Sequence, residues 1–322
     1  AAGLVKLGVK KGDFVTICLP NIPQCVIAVY AVNRIGAVCN LVHPLSTKDE
    51  IEYAVNLTKS RFILTFEMNE GHCRDLDAAV IRCRTPQYFP KSPKGFVLKT
   101  VYHQKVKNEP KLDNVVEWTD LLAGGAGITL PEDTVKPEDI AAIMYTGGTT
   151  GQSKGVMLSN QAINYTSSWL VRYYTTGDTH IGDAILAILP VFHAFGLNPK
   201  DCAKIIRREK TAYLAGVPVM YERMYPFLKG HDCSFVKHAV CGGDKVGEDL
   251  LNRYNELLGD ETGRWKFQPG FGLTEACGAF AVTRKEYQSF IDGSVGKPFD
   301  GIDICLVEPG TTEVLPNTEE GE

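Results

Sequence analysis

The 322-residue sequence has no long hydrophobic run. Its longest apolar region, residues 14–42, is interrupted by Pro20, Pro23 and Arg34 among others, and no segment reaches the roughly 18 apolar residues that a membrane span needs. The opening stretch, AAGLVKLGVKKGD, also lacks the apolar core of a signal peptide. We therefore expect no integral membrane segment in this sequence.

Paired cysteines and an excess of positive charge are also lacking. The 10 cysteines are scattered without a CxxC pair, which favours reduced thiols in a cytoplasmic protein over the disulfide framework of a short secreted domain. A formal net charge of −4 argues against bulk binding of nucleic acid. We find no internal repeat or low-complexity tract. The composition indicates a folded cytoplasmic protein with no nucleic-acid partner.

Short apolar runs rich in β-branched residues alternate with helical stretches between residues 14 and 66. This alternation is typical of a mainly parallel sheet covered by helices, and it predicts an α/β fold. Ser46 or Thr47 is expected to cap a helix that starts near Lys48, with Glu50 completing a capping box. Residues 67–131 contain several prolines without a sustained period, so we assign them only loops and strands.

The pattern continues through the second half of the sequence. The predicted elements are a strand at 136–146, a helix from Ser159 to Tyr174, a buried strand at 183–190, an amphipathic helix and strand over 198–218, a strand entering a Gly-Gly turn over 235–246, and a glycine-rich turn at 266–278. The glycine-rich and polar loops follow strands. Open α/β sheets bind their ligands at this end of the strands.

The loop MYTGGTTGQSKGV at 144–156 combines glycine, threonine and lysine. Glycine lets backbone N–H groups converge on one point, and the hydroxyl and ammonium groups add donors for an anion. The loop is not a Walker A motif, because Ser153 rather than glycine precedes Lys154. It predicts a phosphate-binding loop, and the alternative is a mobile connection.

Three motifs follow one another along the sequence: YTGGTTGQSKG at 145–155, LPVFHAFG at 189–196 and FGLTE at 271–275. In sequence and in order they resemble the YTSGTTGxPKG loop, the LPxFHxxG stretch and the YGxTE motif of the adenylate-forming ligases, a family that includes acyl-CoA synthetases, luciferases and peptide-synthetase adenylation domains. The LPxFHxxG stretch is typical of the acyl- and aryl-CoA ligases of that family. CGGDKV at 241–246 is similar to a glycine-rich turn that precedes the nucleotide. The resemblance runs from about Gly12 to Glu322.

The resemblance implies the fold of the large N-terminal AMP-binding (adenylation) domain over residues 1–322. That fold has layered sheets and helices in two αβα-type subdomains plus a small β subdomain. The family's first strands and its small C-terminal domain, which carries a lysine used in adenylation, are expected to be absent.

The implied activity is ATP-dependent activation of a carboxylic acid, fatty or aryl, to an acyl-adenylate with release of pyrophosphate. CoA then forms the thioester, so ATP, Mg²⁺ and CoA are the expected cofactors and co-substrates. Two alternatives stay open at this point. The acyl group could be transferred to a carrier protein, or the chain could be a non-catalytic nucleotide-binding module.

The same resemblance assigns the phosphate contacts. The residues implied for the loop over the β- and γ-phosphates are Thr146, Gly147, Gly148, Thr149, Thr150, Gly151 and Lys154. Glu275 would hold Mg²⁺ and Thr274 would reach the α-phosphate, while the alternative for Glu275 is a solvated surface carboxylate. Lys154, Thr274, Glu275 and His193 are the expected catalytic residues.

The remaining implied residues surround the nucleotide and the acyl group. Phe271 would stack on adenine, with Gly272 next to it, and its alternative is a core aromatic. His193 would lie beside the acyl carboxylate or gate its pocket, and its alternative is a satisfied core histidine. Gly242, Gly243 and Asp244 would line the adenine and acyl pocket, or would form an ordinary strand-to-helix turn.

The sequence departs from the family at three places. Gly147 replaces a serine of the loop, Ser153 replaces a proline, and the stretch between Gly196 and residue 216 is shorter than usual.

Two further patterns are rejected. Asp178 in TTGD lies too early to be the family's ribose-binding aspartate, so we assign it to a turn. His231, Cys233, His238 and Cys241 match no zinc spacing.

Overall fold

A computed structural model describes residues 1–146, 153–174, 180, 182–186, 198–259, 266–283 and 293–316. The chain divides into a first compact unit, Ala1–Asn164, and a second that begins at Tyr165. Each unit is built around its own β-sheet. Across the described ranges, no helix has the length and apolar character needed to cross a bilayer.

The first unit contains a seven-stranded sheet in the order β5-β4-β3-β1-β2-β6-β7. Its strands are β1 (Phe14–Cys18), β2 (Val38–Leu41), β3 (Phe62–Thr65), β4 (Ala79–Arg82), β5 (Val116–Glu117), β6 (Ile140–Thr146) and β7 (Lys154–Ser159). The helices are α1 (Ala2–Lys6), α2 (Pro23–Ile35), α3 (Lys48–Thr58), α4 (Pro93–Val106) and α5 (Trp118–Gly124), with 3₁₀ turns at Glu70–Cys73 and Thr85–Tyr88. Neighbouring strands are parallel except for the antiparallel pair β6–β7.

Local sequence explains why these elements begin and end where they do. Val15 and Ile17 of β1 are completely buried, as expected for a central parallel strand that is covered on both faces. Thr47 accepts a hydrogen bond from the Glu50 N–H and Glu50 accepts one from the Thr47 N–H, so the capping box at the start of α3 is confirmed. Helix α2 ends at Gly36, whose φ of 74° suits glycine.

The second unit contains a six-stranded sheet in the order β13-β12-β11-β10-β9-β8. Its strands are β8 (Ile185–Leu186), β9 (Tyr213–Gly216), β10 (His238–Cys241), β11 (Phe267–Leu273), β12 (Gly278–Val282) and β13 (Lys297–Pro298). The chain enters this unit within α6 (Asn160–Tyr174), and the further helices are α7 (Pro199–Glu209), α8 (Pro218–Leu228), α9 (Glu248–Leu257) and a 3₁₀ turn at Thr274–Ala276. Strands β8 to β11 are parallel, whereas β11, β12 and β13 pair antiparallel.

Three aromatic residues anchor β11 of the second unit to its helices. The rings of Tyr221, Tyr254 and Phe267 are fully buried, and the Phe267 ring centroid lies 4.7 Å from that of Tyr221 and 4.9 Å from that of Tyr254. The Tyr254 hydroxyl donates to the Tyr221 carbonyl oxygen at 2.7 Å. Buried rings with satisfied hydroxyls hold the start of β11 rigidly.

The structure confirms the α/β class and the strand–helix alternation of residues 14–66. It also confirms four later predictions: the strand before the glycine loop, helix α6, helix α7 with β9, and the strand that enters the Gly-Gly turn. The buried strand predicted at 183–190 is described only as β8, in which Leu186 is buried and Ile185 is exposed. A separate small β subdomain stays a prediction. Residues 293–316 contain β13 and a bridge between Val307 and Val314.

Two predictions were wrong. Residues 67–131 contain two helices, α4 and α5, rather than loops and strands alone. Helix α4 escaped detection because Phe96, Val97 and Val101 are exposed, so its apolar residues do not mark the face that packs on the core. The stretch 266–278 is mostly strand β11 rather than a turn, because its glycines allow close backbone packing against β12.

Candidate active site

The β6–β7 hairpin positions the two described ends of the phosphate-like loop. In the antiparallel register, Thr146 at the end of β6 lies opposite Lys154 at the start of β7. Lys154 is exposed and forms no ion pair with any residue that the structure describes. The hairpin therefore presents an exposed ammonium group and a threonine on either side of one loop.

A buried amide supports this end of the hairpin. Asn40 of β2 is completely buried, and its side-chain N–H groups donate to the Thr16 hydroxyl at 2.9 Å and to the Ala54 carbonyl oxygen at 3.1 Å. Its Oδ1 accepts a hydrogen bond of 2.8 Å from the Tyr145 hydroxyl. Since Tyr145 directly precedes Thr146, the amide fixes the end of β6 relative to β2.

Burial of the Tyr145 phenol raises its pKa to about 12, and the Asn40 hydrogen bond offsets part of that rise. The neutral hydroxyl is thus the form present at physiological pH, and it remains a donor to Asn40. Asn40 could not be selected by sequence reasoning, because one polar residue in an apolar strand follows no period.

The rest of the predicted loop lies outside the residues that the structure describes. The loop residues outside the described part are Gly147, Gly148, Thr149, Thr150 and Gly151. The same holds for His193 and for Asp178. Their assigned roles stay predictions.

The Gly-Gly turn follows the carboxyl end of β10 in the second unit. A Cβ at Gly242 would lie 2.8 Å from the Gly270 carbonyl oxygen, and Gly243 has a φ of +82°. Both positions therefore require glycine for the backbone itself. Asp244 is exposed, and its carboxylate accepts the neighbouring Lys245 N–H at 2.7 Å. The turn therefore presents the exposed carboxylate of Asp244 next to the point where Gly242 packs against Gly270 of β11.

Phe271 lies near the end of β11 with 41% of its surface exposed, which excludes the alternative of a core aromatic. Its ring meets Phe280 edge to face at a centroid distance of 5.3 Å and an interplanar angle of 77°. This contact holds the ring at one side. A partly exposed, oriented aromatic ring is suited to stacking on a planar ligand.

Gly272 has a structural function that sequence reasoning missed. A Cβ at this position would lie 2.2 Å from the Gly278 carbonyl oxygen, at the bulge where the β11–β12 register shifts. The residue is thus required by strand packing next to Phe271. Its predicted contact with the nucleotide stays a prediction.

Thr274 and Glu275 begin the 3₁₀ turn after β11. Thr274 is half-buried, and its carbonyl oxygen accepts the Cys277 N–H at 3.0 Å. Cys277 has a φ of 64°, which is uncommon for a residue with a side chain and closes the turn tightly. The Glu275 carboxylate is exposed and makes no hydrogen bond or ion pair with a described residue. It is free to bind a hard cation.

Three residues of the rejected zinc pattern lie in the core of the second unit, whereas His231 is exposed. His238 stacks on Tyr213 at 5.9 Å, and Cys233 and Cys241 are buried. Among the residues that the structure describes, no three His, Cys, Asp or Glu side chains gather as a metal site.

Both α/β units have glycine-rich and polar residues at the carboxyl ends of strands, which is the end at which open α/β sheets bind ligands. The family model of the AMP-binding enzymes matches residues 1–200 and 196–322. This chain therefore belongs to the AMP-binding enzyme family. The two matched stretches meet at 196–200, where the sequence is expected to be shorter than usual.

Curated relatives are similar over the whole chain. A long-chain-fatty-acid–CoA ligase of Bacillus subtilis is 28% identical over 361 residues, covering 100% of this chain and 61% of the relative. A 4-coumarate–CoA ligase of Humulus lupulus is 26% identical, covering 100% of this chain and 59% of the relative. The chain thus spans about three fifths of the length of these relatives.

Solved structures show the same fold. A long-chain-fatty-acid–CoA ligase of Archaeoglobus fulgidus superposes with a TM-score of 0.77 at 20% identity, covering 100% of this chain and 64% of that one. ATP-bound MatB of Rhodopseudomonas palustris gives 0.74 at 21% identity, with coverages of 99% and 62%. The likeness confirms the predicted fold of an adenylate-forming N-terminal domain.

Proposed function

We propose that this chain is the nucleotide-binding part of an AMP-forming acid–thiol ligase that activates a fatty or aryl carboxylic acid for transfer to CoA. The observation that carries the proposal is the hairpin register, in which Thr146 and Lys154 face each other at the two ends of the glycine and threonine loop. The loop sequence and its place after a buried parallel strand support a phosphate ligand.

The proposed chemistry has two steps. A carboxylate oxygen attacks the α-phosphorus of ATP, pyrophosphate leaves, and an acyl-adenylate forms. The sulfur of CoA then attacks the acyl carbon, AMP leaves, and the thioester forms. The phosphates of ATP and the entering carboxylate oxygen all carry negative charge. The chain must therefore supply hydrogen-bond donors and cations around the α-phosphorus.

The described residues suit this demand. The free ammonium of Lys154 donates to phosphate oxygens and offsets their charge, and such a charge-assisted hydrogen bond contributes about 1.5–3 kcal/mol. The Thr274 hydroxyl is proposed to donate to the α-phosphate, and Phe271 is proposed to orient adenine by stacking. These contacts hold the reacting atoms in place while charge moves onto the leaving group.

The donor set also fits Mg²⁺, which takes carboxylate and phosphate oxygens. The exposed carboxylate of Glu275 has no competing cation among the described residues. Bound Mg²⁺ would neutralise phosphate charge during departure of pyrophosphate. Glu275 is proposed to hold it through an oxygen atom.

The acid and the acceptor are proposed from the relatives. Curated relatives are named as ligases of long-chain fatty acids and of 4-coumarate, which supports a fatty or aryl acid. The same names, together with the LPVFHAFG stretch, support CoA over a carrier protein. All 10 cysteines are free and 8 of them are buried, which supports a reducing, cytoplasmic location.

The test is formation of AMP and of a thioester by the protein that carries this chain, with ATP, Mg²⁺, CoA and a panel of short, medium, long and aromatic acids. We expect both products with at least one acid. Thioester formation on a carrier protein but not on CoA would contradict the proposed acceptor. ATP binding without AMP formation for any acid would contradict the enzyme assignment and favour a nucleotide-binding module.

The role of Glu275 is tested in the same assay. Glu275→Gln removes the negative charge and should lower pyrophosphate exchange about 100-fold or more while raising the Mg²⁺ concentration needed, because a preorganised ligand of the metal is lost. Glu256→Gln, an exposed position on α9, is the matched control and should change neither quantity. An unchanged rate and Mg²⁺ dependence in Glu275→Gln would exclude the metal role.

A further inference from the structure

Strand β11 contains a fully buried glutamine, Gln268. Its exposed fraction is 0%, and neither its Nε2 nor its Oε1 has a hydrogen-bond partner among the residues that the structure describes. Buried side-chain amides are normally paired, because an unpaired donor or acceptor has lost its bonds to water without replacement. Both polar groups of this amide are therefore available to a ligand.

The strand register places Gln268 on a definite face of the second sheet. Gln268 is paired with Val240 of β10, and Val240 is paired with Ala215 of β9, so the three side chains project from the same face. The preceding residue, Phe267, points to the opposite face, where aromatic rings of α8 and α9 pack against it. Gln268 thus lies on the face that this aromatic cluster does not fill.

Small residues line the Gln268 face toward the carboxyl ends of the strands. Gly270 is the next residue of β11 on this face, and its neighbours Ala215 and Val240 are only half-buried. For a Cβ built at Gly270, the three nearest described atoms lie at 3.3, 3.5 and 3.8 Å and belong to the adjacent strands β10 and β12. A glycine at this point lets a ligand approach the backbone closely.

The amide lies within reach of an acid held at the carboxyl edge. Phe271, whose ring is proposed to stack on adenine, comes three positions after Gln268, which corresponds to about 10 Å along a strand. Thr274, the proposed donor to the α-phosphate, begins the turn after the same strand. An acid that extends from this edge over Gly270 would bring its far end to Gln268.

We propose that Gln268 determines substrate specificity by selecting carboxylic acids that carry a hydroxyl group at the far end, about 10 Å from the carboxyl carbon. A hydroxyl group both donates and accepts, so it can pair with the Oε1 and the Nε2 of one amide. A second carboxylate would only accept, and a neutral amide does not offset its buried charge. The inference rests on the proposed function, because it takes the acid to be held at the carboxyl edge for adenylation.

The unpaired state of the amide makes the discrimination strong. An acid with the hydroxyl group supplies hydrogen bonds that Gln268 lacks in the free chain, whereas an acid with a hydrocarbon end leaves the amide both desolvated and unpaired. Sites that bind a substrate hydroxyl therefore reject the analogue without it more strongly than an apolar pocket distinguishes two hydrocarbons.

The test compares matched acids in the protein that carries this chain, with ATP, Mg²⁺ and CoA. The pairs are 4-hydroxycinnamic with cinnamic acid and 8-hydroxyoctanoic with octanoic acid, and the members of each pair differ only in the far hydroxyl. We expect kcat/KM to be about tenfold or more higher for the hydroxylated member of at least one pair. Gln268→Met keeps the length of the side chain without its polar groups, and it should abolish this preference.

A second measurement needs no acid. Gln268→Met removes an unpaired buried amide from the free chain, so the urea concentration at the unfolding midpoint should be equal to or higher than that of the unaltered chain. Gln104→Met, at an exposed position of α4, is the matched control. It should change neither the midpoint nor the preference for hydroxylated acids.

The outcomes separate this inference from the proposed function. Thioester formation without a preference for the hydroxylated acids, or with a preference that Gln268→Met retains, would overturn the role of Gln268 and leave the ligase activity standing. A lower unfolding midpoint in Gln268→Met but not in Gln104→Met would also overturn it, since the amide would then be hydrogen-bonded in the free chain. Absence of AMP with every acid would contradict the proposed function, and this inference with it.

Discussion

The two units support their candidate site residues by different means. In the first unit, the end of β6 is held by a buried amide, since Asn40 accepts the Tyr145 hydroxyl and donates to neighbouring strand and helix groups. In the second unit, the end of β11 is held by direct approach of backbones, since Gly242 and Gly272 leave no room for a Cβ. The end of β6 is therefore held by hydrogen bonds, whereas the end of β11 is held by backbone contacts that only glycine allows.

This difference predicts different responses to substitution. A lost hydrogen bond in a polar cluster leaves donors and acceptors unpaired but keeps the backbone path. A Cβ forced against a carbonyl oxygen must move the backbone itself. We therefore expect the second unit to be the more sensitive to the smallest possible change, the addition of one methyl group.

The largest effect is expected for Gly272→Ala. Its Cβ would lie 2.2 Å from the Gly278 carbonyl oxygen and 2.7 Å from the Ala279 Cα, so the β11–β12 bulge must open. We expect a loss of about 3 kcal/mol in the free energy of unfolding, the upper end for overpacking. Urea denaturation followed by circular dichroism measures the change.

Gly247→Ala is the matched control for that variant. Gly247 has a φ of −78° and no atom within 4 Å of an added Cβ, so its replacement should change stability by less than about 0.5 kcal/mol. Equal effects at the two glycines would show that close backbone packing does not support β11.

The next largest effect is expected for Asn40→Ala. The change removes the donor to Thr16 and the acceptor of Tyr145 from a fully buried position, which should cost about 2 kcal/mol in the free energy of unfolding. Thermal and urea unfolding measure it. A stability equal to that of the unaltered chain would mean that the amide does not support the hairpin.

A smaller, pH-dependent effect is expected for Tyr145→Phe. At neutral pH the variant loses one hydrogen bond, worth about 1 kcal/mol. Burial raises the pKa of Tyr145 to about 12, whereas an unfolded tyrosine titrates near 10. As pH rises from about 10 to 12, the unfolded state loses its proton first, so the stabilisation by Tyr145 is lost in that window.

The stability gap between the unaltered chain and Tyr145→Phe should therefore narrow between about pH 9 and pH 11. Urea denaturation at both pH values measures the gap, and other groups titrate alike in the two proteins. A gap that is constant over this range would contradict the burial of the phenol against Asn40.

Sequence reasoning selected candidate residues but not the groups that support them. The motif selected Lys154 as a candidate. The strand predicted at 136–146 contains β6, the first strand of the hairpin. Asn40 could not be predicted because its partners, Thr16 and Tyr145, are distant in the sequence. Gly272 was selected for contact with the nucleotide, and its packing against β12 depends on a register that no local pattern encodes.

The same limit explains the error at α4. Most of its apolar residues are exposed, and Gly95 and Val106 are its only buried residues, so the usual rule that apolar residues mark the core fails for most of this helix. Phe271 shows the opposite case. The motif predicted a ligand-facing ring, and its exposure together with its edge contact on Phe280 is consistent with that interpretation.

The central claim, that the hairpin presents Lys154 to the phosphates of ATP, is tested most directly by calorimetric titration of ATP with Mg²⁺ into the unaltered chain, Lys154→Ala and Lys10→Ala. Lys154 and Lys10 are both exposed lysines of the first unit, and only the former is on the hairpin. We predict a 10- to 100-fold weaker affinity for Lys154→Ala, about 1.5–3 kcal/mol, and no change for Lys10→Ala. Equal affinity in all three proteins would contradict the account.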